Sequence, residues 1–141
     1  MATGIAFVGC GYVADSYRYC MRLHGNELRL IGVYDRDPER LLAFSQYWGD
    51  RSYASLDALL ADPACQIVVN LTDPENHQSV TRAAVAAGKH VYSEKPVAMH
   101  IDTARALGDL AQAKGVRLAA APCNFLGEAV QTEIGRASCR E

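Results

Sequence analysis

Two features that place a protein on nucleic acid or in a membrane are missing from this sequence of 141 residues. No run of Lys or Arg forms a basic stripe and the formal net charge is −2, so we expect no nucleic-acid partner. No apolar stretch reaches the roughly 18 residues of a membrane span. Residues 1–4 lead straight into an apolar run with no basic region before it, which predicts no signal peptide. We therefore expect a cytoplasmic protein without a membrane partner.

Cysteine pairs with the spacing C-x-x-C are also missing. The five cysteines are odd in number and far apart in the sequence, at positions 10, 20, 65, 123 and 139. Such scattered thiols are typical of a reducing compartment and supply neither a disulfide framework nor a zinc site. We therefore expect no bound metal ion and assign no redox role to Cys10.

What the sequence does have is an alternation of apolar and amphipathic segments. Half of the residues are hydrophobic and 21% are charged, which is enough for a packed core. Short apolar runs are typical of strands buried on both faces, and apolar residues recur at helical spacing between them. This order predicts an α/β fold, a doubly wound parallel (Rossmann) sheet with helices on both faces. The predicted strands are 4–8, 28–34, 51–53, 66–71, 89–93 and 116–121, and the predicted helices are 12–23, 38–48, 55–61, 74–87 and 100–114.

A glycine-rich motif, G-x-G-x-x-A, lies between the first predicted strand and the first predicted helix. Gly9 permits the tight turn, Gly11 lets the backbone approach a pyrophosphate, and Ala14 is small enough for close helix–strand packing. The free N–H groups of the helix N-terminus then favour phosphates. A glycine-rich turn without a ligand is the alternative. The motif predicts a dinucleotide site formed by Gly9, Cys10, Gly11, Tyr12, Val13 and Ala14.

An acidic residue ends the second predicted strand, 21 residues after Ala14. A carboxylate at this place accepts hydrogen bonds from the adenosine ribose hydroxyls and repels a 2′-phosphate, so Asp35 favours NAD over NADP. The guanidinium of Arg36 is an alternative partner for a 2′-phosphate or for the adenine ring, which keeps NADP open. Otherwise Arg36 faces water or pairs with Asp37 or Glu39.

Polar motifs follow the fourth and fifth predicted strands, whose carboxyl ends face the dinucleotide in a doubly wound sheet. The first is Thr-Asp-Pro-Glu-Asn-His at 72–77, and the second is Gly-Lys-His-Val-Tyr-Ser-Glu-Lys-Pro at 88–96. Together with the glycine turn and Asp35, these motifs resemble the glucose–fructose oxidoreductase / inositol dehydrogenase (Gfo/Idh/MocA) family. The resemblance covers residues 3 to about 132, and Glu-Lys-Pro at 94–96 is its most specific part.

The resemblance implies a catalytic role for Lys95, beside the nicotinamide and hydrogen-bonded to the substrate hydroxyl that is oxidised. Elementary chemistry agrees, because an ammonium stabilises a developing alkoxide. Glu94 is implied to contact the nicotinamide ribose, and Pro96 to fix the backbone that follows. The resemblance also implies cofactor contacts by Leu71, Thr72, Asn76, His77, Pro96 and Asn124. Polar residues in the first turns of a helix also cap it or face water, which is the alternative for Asn76 and His77.

Three segments are distinguished along the chain. Residues 1–123 are expected to form the NAD(P)-binding domain, and residues 124–132 to begin the connection to a second α/β domain, which the resemblance implies and this sequence lacks. Residues 133–141 resemble the translation of a sequencing-adapter DNA. We therefore expect the natural reading frame to end at about Thr132; an ordinary polar C-terminus is the alternative.

The resemblance implies that the intact enzyme oxidises a secondary alcohol of a sugar, cyclitol or related polyol by hydride transfer to the nicotinamide. The expected partners are the dinucleotide, a polyol or sugar substrate, and further copies of the enzyme in a homo-oligomer. For the 141 residues alone we expect weak cofactor binding and no turnover. Three alternatives stay open: a non-catalytic dinucleotide-binding module such as a redox-sensing regulator, a methyltransferase, which also uses a glycine-rich turn, and an incomplete gene product without a function of its own.

Overall fold

A computed structural model describes residues 2–121 of the chain. Parallel strands form one sheet in the order β2-β1-β3-β4-β5. The strands are β1 Thr3–Val8, β2 Leu28–Tyr34, β3 Ile67–Asn70, β4 His90–Ser93 and β5 Leu118–Ala120. The strand order reverses at β1, because β2 lies on one side of it and β3 on the other. In such sheets a crevice opens at the carboxyl ends of the strands beside this reversal.

Local chemistry sets the ends of the helices. The carboxylate of Asp37 accepts hydrogen bonds from the backbone N–H groups of Glu39 and Arg40 at the start of α2. Gly88 follows α4 with a φ of 74°, the left-handed conformation that commonly ends a helix. The helices of the described part are α1 Tyr12–Cys20, α2 Pro38–Trp48, α3 Leu56–Ala61, α4 Pro74–Ala86 and α5 Ile101–Ala113.

Side chains of β1 alternate between two hydrophobic clusters on opposite faces of the sheet. Ile5 and Phe7 pack in a cluster that includes Phe44 of α2. Ala6 and Val8 pack in the other cluster, which includes residues of α3, α4 and α5. Helices therefore cover both faces, and the predicted doubly wound parallel sheet is confirmed.

The predicted strand 51–53 is reduced to a single bridge between Ser52 and Val33 of β2. The N–H of Val33 donates to the carbonyl of Arg51 at 2.8 Å, and the N–H of Tyr53 donates to the carbonyl of Val33 at 2.9 Å. No longer ladder forms because the chain turns away at Ser55, whose hydroxyl caps α3 by accepting from the N–H of Ala58.

The first helix also differs from its prediction. It ends at Cys20, and Met21–His24 continue it as a tighter 3-10 helix. Gly25 follows with a φ of −60°, so this helix does not end in the left-handed conformation that glycine often supplies. The bounds of all other predicted elements agree with the structure to within two residues.

Several expectations concern residues outside the described part. These are the connection at 124–132, the tail at 133–141, Asn124, Cys123 and Cys139. Within residues 2–121, no helix has the length and apolar character to cross a membrane. In the same range, no group of three or more His, Cys, Asp or Glu side chains is placed to hold a metal ion. The described cysteines, Cys10, Cys20 and Cys65, have free thiols.

Candidate cofactor-binding site

The turn between β1 and α1 requires glycine at its first position. Gly9 has a φ of +100°, and a Cβ there would lie 2.6 Å from the carbonyl carbon and oxygen of Leu71. The N–H of Gly9 donates to the carbonyl of Tyr34 at 2.8 Å, which ties the turn to β2. The turn is therefore fixed between the carboxyl ends of β2 and β3.

Gly11 meets a different requirement, because the space beside it is open. It is the N-cap of α1, and a Cβ at this position would meet no atom within 4 Å. Ala14 is fully buried in the first turn of the helix, where its N–H donates to the carbonyl of Gly11 at 2.9 Å. The start of α1 thus borders a cradle free of side chains. That arrangement fits a diphosphate, which needs close approach to helix N–H groups.

The remaining predicted residues of this turn differ in exposure. Tyr12 and Val13 are 88% and 39% exposed. Cys10 is buried, and burial together with the charge of Asp35 raises the pKa of its thiol to about 12. Such a thiol stays protonated at neutral pH, which agrees with the assignment of no redox role to Cys10.

A cleft of about 190 Å³ opens next to the glycine turn, at the carboxyl ends of β1, β2 and β3. It lies at the reversal of strand order, where ligands bind in doubly wound sheets. The residues that the sequence assigned to the cofactor and that line this cleft are Gly9, Gly11, Asp35, Arg36, Leu71, Thr72 and Asn76. The residues that sequence reasoning did not assign are Val8, Tyr34, Arg40, Leu56, Asp73 and Val80.

Asp35 lines the cleft with a side chain that is almost fully buried, the residue being 7% exposed. Its Oδ2 accepts the N–H of Cys10 at 2.7 Å, and its Oδ1 accepts the N–H of Asp37 at 2.9 Å. These bonds orient the carboxylate, and each oxygen keeps a further lone pair for a ribose hydroxyl. Asp35 therefore joins the glycine turn to the loop that follows β2.

Two arginines line the same cleft. The exposed side chain of Arg36 donates from Nη1 to Oδ1 of Asn76 at 3.4 Å, so it contacts α4 and not the acidic residues that follow it in sequence. Arg40 places its Nη1 3.9 Å from Oδ2 of Asp35. Sequence reasoning missed Arg40. Its position three residues after the helix cap at Asp37 was the available signal, because the first turn of α2 follows directly from the end of β2.

The loop after β3 is organised by Asn70, a fully buried residue to which sequence reasoning gave no role. Its Nδ2 donates to the carbonyl of His77 at 3.0 Å and to Oγ1 of Thr81 at 3.1 Å. Its Oδ1 accepts the hydroxyl of Thr72 at 2.7 Å and the N–H of Thr72 at 3.3 Å. A polar residue inside an otherwise apolar strand was the signal, since buried amides need partners.

His77 lies behind the cleft, with the residue 1% exposed. Its Nδ1 is 2.6 Å from the carbonyl oxygen of Pro96, and its Nε2 is 2.7 Å from the carbonyl oxygen of Thr72. The imidazole therefore joins the loop after β3 to the loop after β4. This position favours a supporting role for His77, with the cofactor meeting the loops that it connects.

The Glu-Lys-Pro motif follows β4 at the same edge of the sheet. The N–H of Glu94 donates to the carbonyl of Asn70 at 2.8 Å, and its Oε1 accepts the hydroxyl of Tyr17 at 2.6 Å. Lys95 is exposed, and its ammonium has no hydrogen-bond or ion-pair partner within residues 2–121. The Lys95–Pro96 peptide bond is cis. The motif lies beside the cleft without lining it, next to the loop that carries Thr72.

Comparison with known proteins agrees with this arrangement. Residues 3–121 match the sequence profile of Gfo/Idh/MocA, described as an oxidoreductase family with an NAD-binding Rossmann fold. The chain belongs to this family. Membership in the Gfo/Idh/MocA family favours an oxidoreductase over the methyltransferase alternative.

Relatives of this Gfo/Idh/MocA chain include sugar dehydrogenases. D-apiose dehydrogenase of Paraburkholderia graminis is 30% identical over 134 residues, which are 94% of this chain and 35% of that protein. D-glucoside 3-dehydrogenase of Escherichia coli is 35% identical over 124 residues, 82% of this chain and 33% of that protein. The WlbA dehydrogenase of Bordetella pertussis, solved with NADH and UDP-GlcNAcA, superposes with a TM-score of 0.87 at 27% identity. The matched region is 94% of this chain and 40% of the WlbA chain. The chain thus spans about a third of the length of these curated relatives.

Proposed function

We propose that this chain is the cofactor-binding part of a dehydrogenase that oxidises a secondary alcohol of a sugar, cyclitol or related polyol, or catalyses the reverse reaction. The observation that carries the proposal is the meeting of the glycine turn, Asp35 and the Glu-Lys-Pro motif at one edge of the sheet. Relatives that act on apiose and on glucosides support the substrate class. NAD is the cofactor that Asp35 favours, with NADP as the alternative.

Each part of this edge has a chemical task. The N–H groups at the start of α1 would hold the pyrophosphate, Asp35 the adenosine ribose, and Glu94 the nicotinamide ribose. The bound nicotinamide supplies the hydride acceptor. Lys95 would stabilise the alkoxide that forms as the substrate hydroxyl loses its proton. The path between these points would be bordered by Leu71, Thr72 and Asn76, with His77 and Pro96 supporting it and Asn124 reaching the nicotinamide carboxamide.

The substrate pocket is proposed to come from a second domain, because the chain spans about a third of its curated relatives. Residues 1–123 would then form the cofactor domain and residues 124–132 the start of the connection. Assembly into a homo-oligomer and a cytoplasmic location belong to the same proposal. The free thiols of Cys10, Cys20 and Cys65 support the location.

Titration of the chain with NADH, followed by fluorescence, tests the cofactor site. We expect saturable binding by the wild-type chain and at least a roughly tenfold higher Kd for Gly11→Val. The valine side chain would occupy the cradle, while the backbone at Gly11, with a φ of −80° and a ψ of −173°, accepts any residue. The fold should therefore survive the substitution.

Gly25→Val is the matched control for this experiment. A Cβ at Gly25 also meets no atom within 4 Å, its φ is −60°, and it lies in the loop before β2 at the opposite end of the strands from the cleft. Binding by this variant should equal that of the wild type. Absence of affinity for both NADH and NADPH in the wild-type chain would contradict the proposed function.

A further inference from the structure

Tyr17 connects the two halves of the proposed cofactor site. It belongs to α1, the helix that begins at the glycine turn, and helical spacing marks it only as an apolar position. Its hydroxyl donates to Oε1 of Glu94 at 2.6 Å, across 77 residues of sequence. Oε2 of the same carboxylate accepts the N–H of Lys95 at 3.1 Å. Both oxygens of Glu94 are therefore held, one by the first helix and one by the motif itself.

The phenol ring of Tyr17 is fixed by aromatic contacts on the sheet. Its centroid lies 6.4 Å from that of Phe7 in an edge-to-face arrangement and 6.2 Å from that of Tyr92. Burial and the adjacent carboxylate of Glu94 raise the pKa of the Tyr17 hydroxyl. The group therefore stays protonated, and it acts as a hydrogen-bond donor to Glu94 throughout the physiological pH range.

We propose that Tyr17 is a positioning residue for the nicotinamide half of the cofactor. It holds the Glu94 carboxylate in the direction needed to accept the hydroxyls of the nicotinamide ribose, and it does so from the same helix whose first turn borders the pyrophosphate cradle. The inference rests on the proposed function, because it takes Glu94 as the ribose ligand. A carboxylate held at both oxygens loses less conformational freedom when the ribose binds than a mobile one does, so the hydrogen bond of Tyr17 contributes to affinity.

The chain offers a matched control in a second phenol–carboxylate pair. The hydroxyl of Tyr53 donates to Oδ2 of Asp62 at 2.8 Å, and burial and this carboxylate raise the pKa of Tyr53 to about 12. Neither Tyr53 nor Asp62 lines the cleft. Tyr17→Phe and Tyr53→Phe therefore each delete one hydroxyl from a similar pair, and both should lower the melting temperature by a few degrees at most.

Affinities for NADH and for ADP separate positioning from simple stability. ADP carries the adenosine and the diphosphate but lacks the nicotinamide riboside, so it does not reach Glu94. Tyr17→Phe should raise the Kd for NADH by roughly five- to tenfold and leave the Kd for ADP unchanged. Tyr53→Phe should change neither. In a double-mutant cycle, Tyr17→Phe should add almost nothing once Glu94→Ala is present, because Tyr17 acts through that carboxylate.

The outcomes distinguish this inference from the proposed function. Equal losses of NADH and ADP affinity in Tyr17→Phe, or no loss of either, would overturn the positioning role while the cofactor site stands. Additive effects in the cycle would overturn it as well. If Tyr17→Phe fails to fold, the test moves to Glu94→Ala in a chain that keeps Tyr17. This variant should lose affinity for NADH and keep its affinity for ADP. Equal losses of NADH and ADP affinity in Glu94→Ala would also overturn the positioning role of Tyr17. A wild-type chain that binds neither ligand removes the proposed function, and the inference with it.

Discussion

At the residue scale, we expect the charge of Asp35 to set the preference between NADH and NADPH. The carboxylate is buried and is held by two backbone N–H groups, so a 2′-phosphate bound beside it is repelled with little screening by water. Arg40, at 3.9 Å, offsets part of this charge. We therefore expect NADH to bind more tightly than NADPH, by roughly tenfold.

Replacing Arg40 tests this balance of charges. Arg40→Gln removes the offsetting cation, so the ratio of the NADPH Kd to the NADH Kd should rise further, by about threefold, and most clearly at low salt. Arg105→Gln on α5 is the control, since Arg105 also pairs with an aspartate, Asp102 at 3.4 Å, and does not line the cleft. Titrations of both variants with each cofactor measure the ratios. Tighter binding of NADPH than of NADH by the wild-type chain would show that the arginines outweigh Asp35.

The residues predicted from sequence are those with a local signature. Gly9 and Asp35 are set by their spacing within one strand–helix–strand unit, and the structure places both where that spacing indicates. Tyr17 has no such signature, because its partner Glu94 is 77 residues away in sequence. Helical periodicity indicates only that Tyr17 lies on the apolar face of α1. Arg40 does have a local signal, its place in the first turn of α2, but this place leaves the direction of its exposed side chain open.

At the scale of elements, one buried amide holds the junction of β3 and α4. Asn70→Ala leaves the hydroxyls of Thr72 and Thr81 and the carbonyl of His77 without their partner. We expect the free energy of unfolding, measured with urea, to fall by about 2–4 kcal/mol. Ser79→Ala is the control, because within residues 2–121 its exposed hydroxyl bonds only the carbonyl of Asn76, and its effect should stay within about 0.5 kcal/mol. A similar small effect for Asn70→Ala would mean that water replaces the amide.

Element ends with capping residues were predictable, whereas the extent of strand pairing was not. Asp37 and Gly88 fix helix ends through contacts with their own neighbours in sequence, so the local sequence is enough to place them. The segment 51–53 lies at the sheet edge beside β2, and its pairing depends on where α3 begins. A period of two residues shows that a segment can pair, but not how many of its residues do.

At the scale of the whole molecule, the parallel sheet collects residues that are far apart in sequence. Because its strands run in one direction, the loops after β1, β2, β3 and β4 open at one edge, which gathers Gly9, Asp35, Thr72 and Lys95. This topology follows from the alternation of strands and helices and from right-handed crossovers. The location of the candidate site was therefore predictable, although its contacts depend on side-chain conformations that no spacing rule fixes.

Turnover depends on Lys95 meeting a substrate, and the substrate contacts are proposed to lie in a second domain. In protein that also carries the proposed second domain, we expect Lys95→Ala to lower kcat on a panel of polyols by about 10²- to 10⁴-fold. The Kd for NADH should not change, because the Lys95 ammonium contacts neither the glycine turn nor Asp35 within the described residues. Lys114→Ala, an exposed lysine at the end of α5, is the control and should change neither value. Unchanged turnover in Lys95→Ala would remove its catalytic role, and turnover of no polyol by the extended wild type would favour a non-catalytic dinucleotide-binding module.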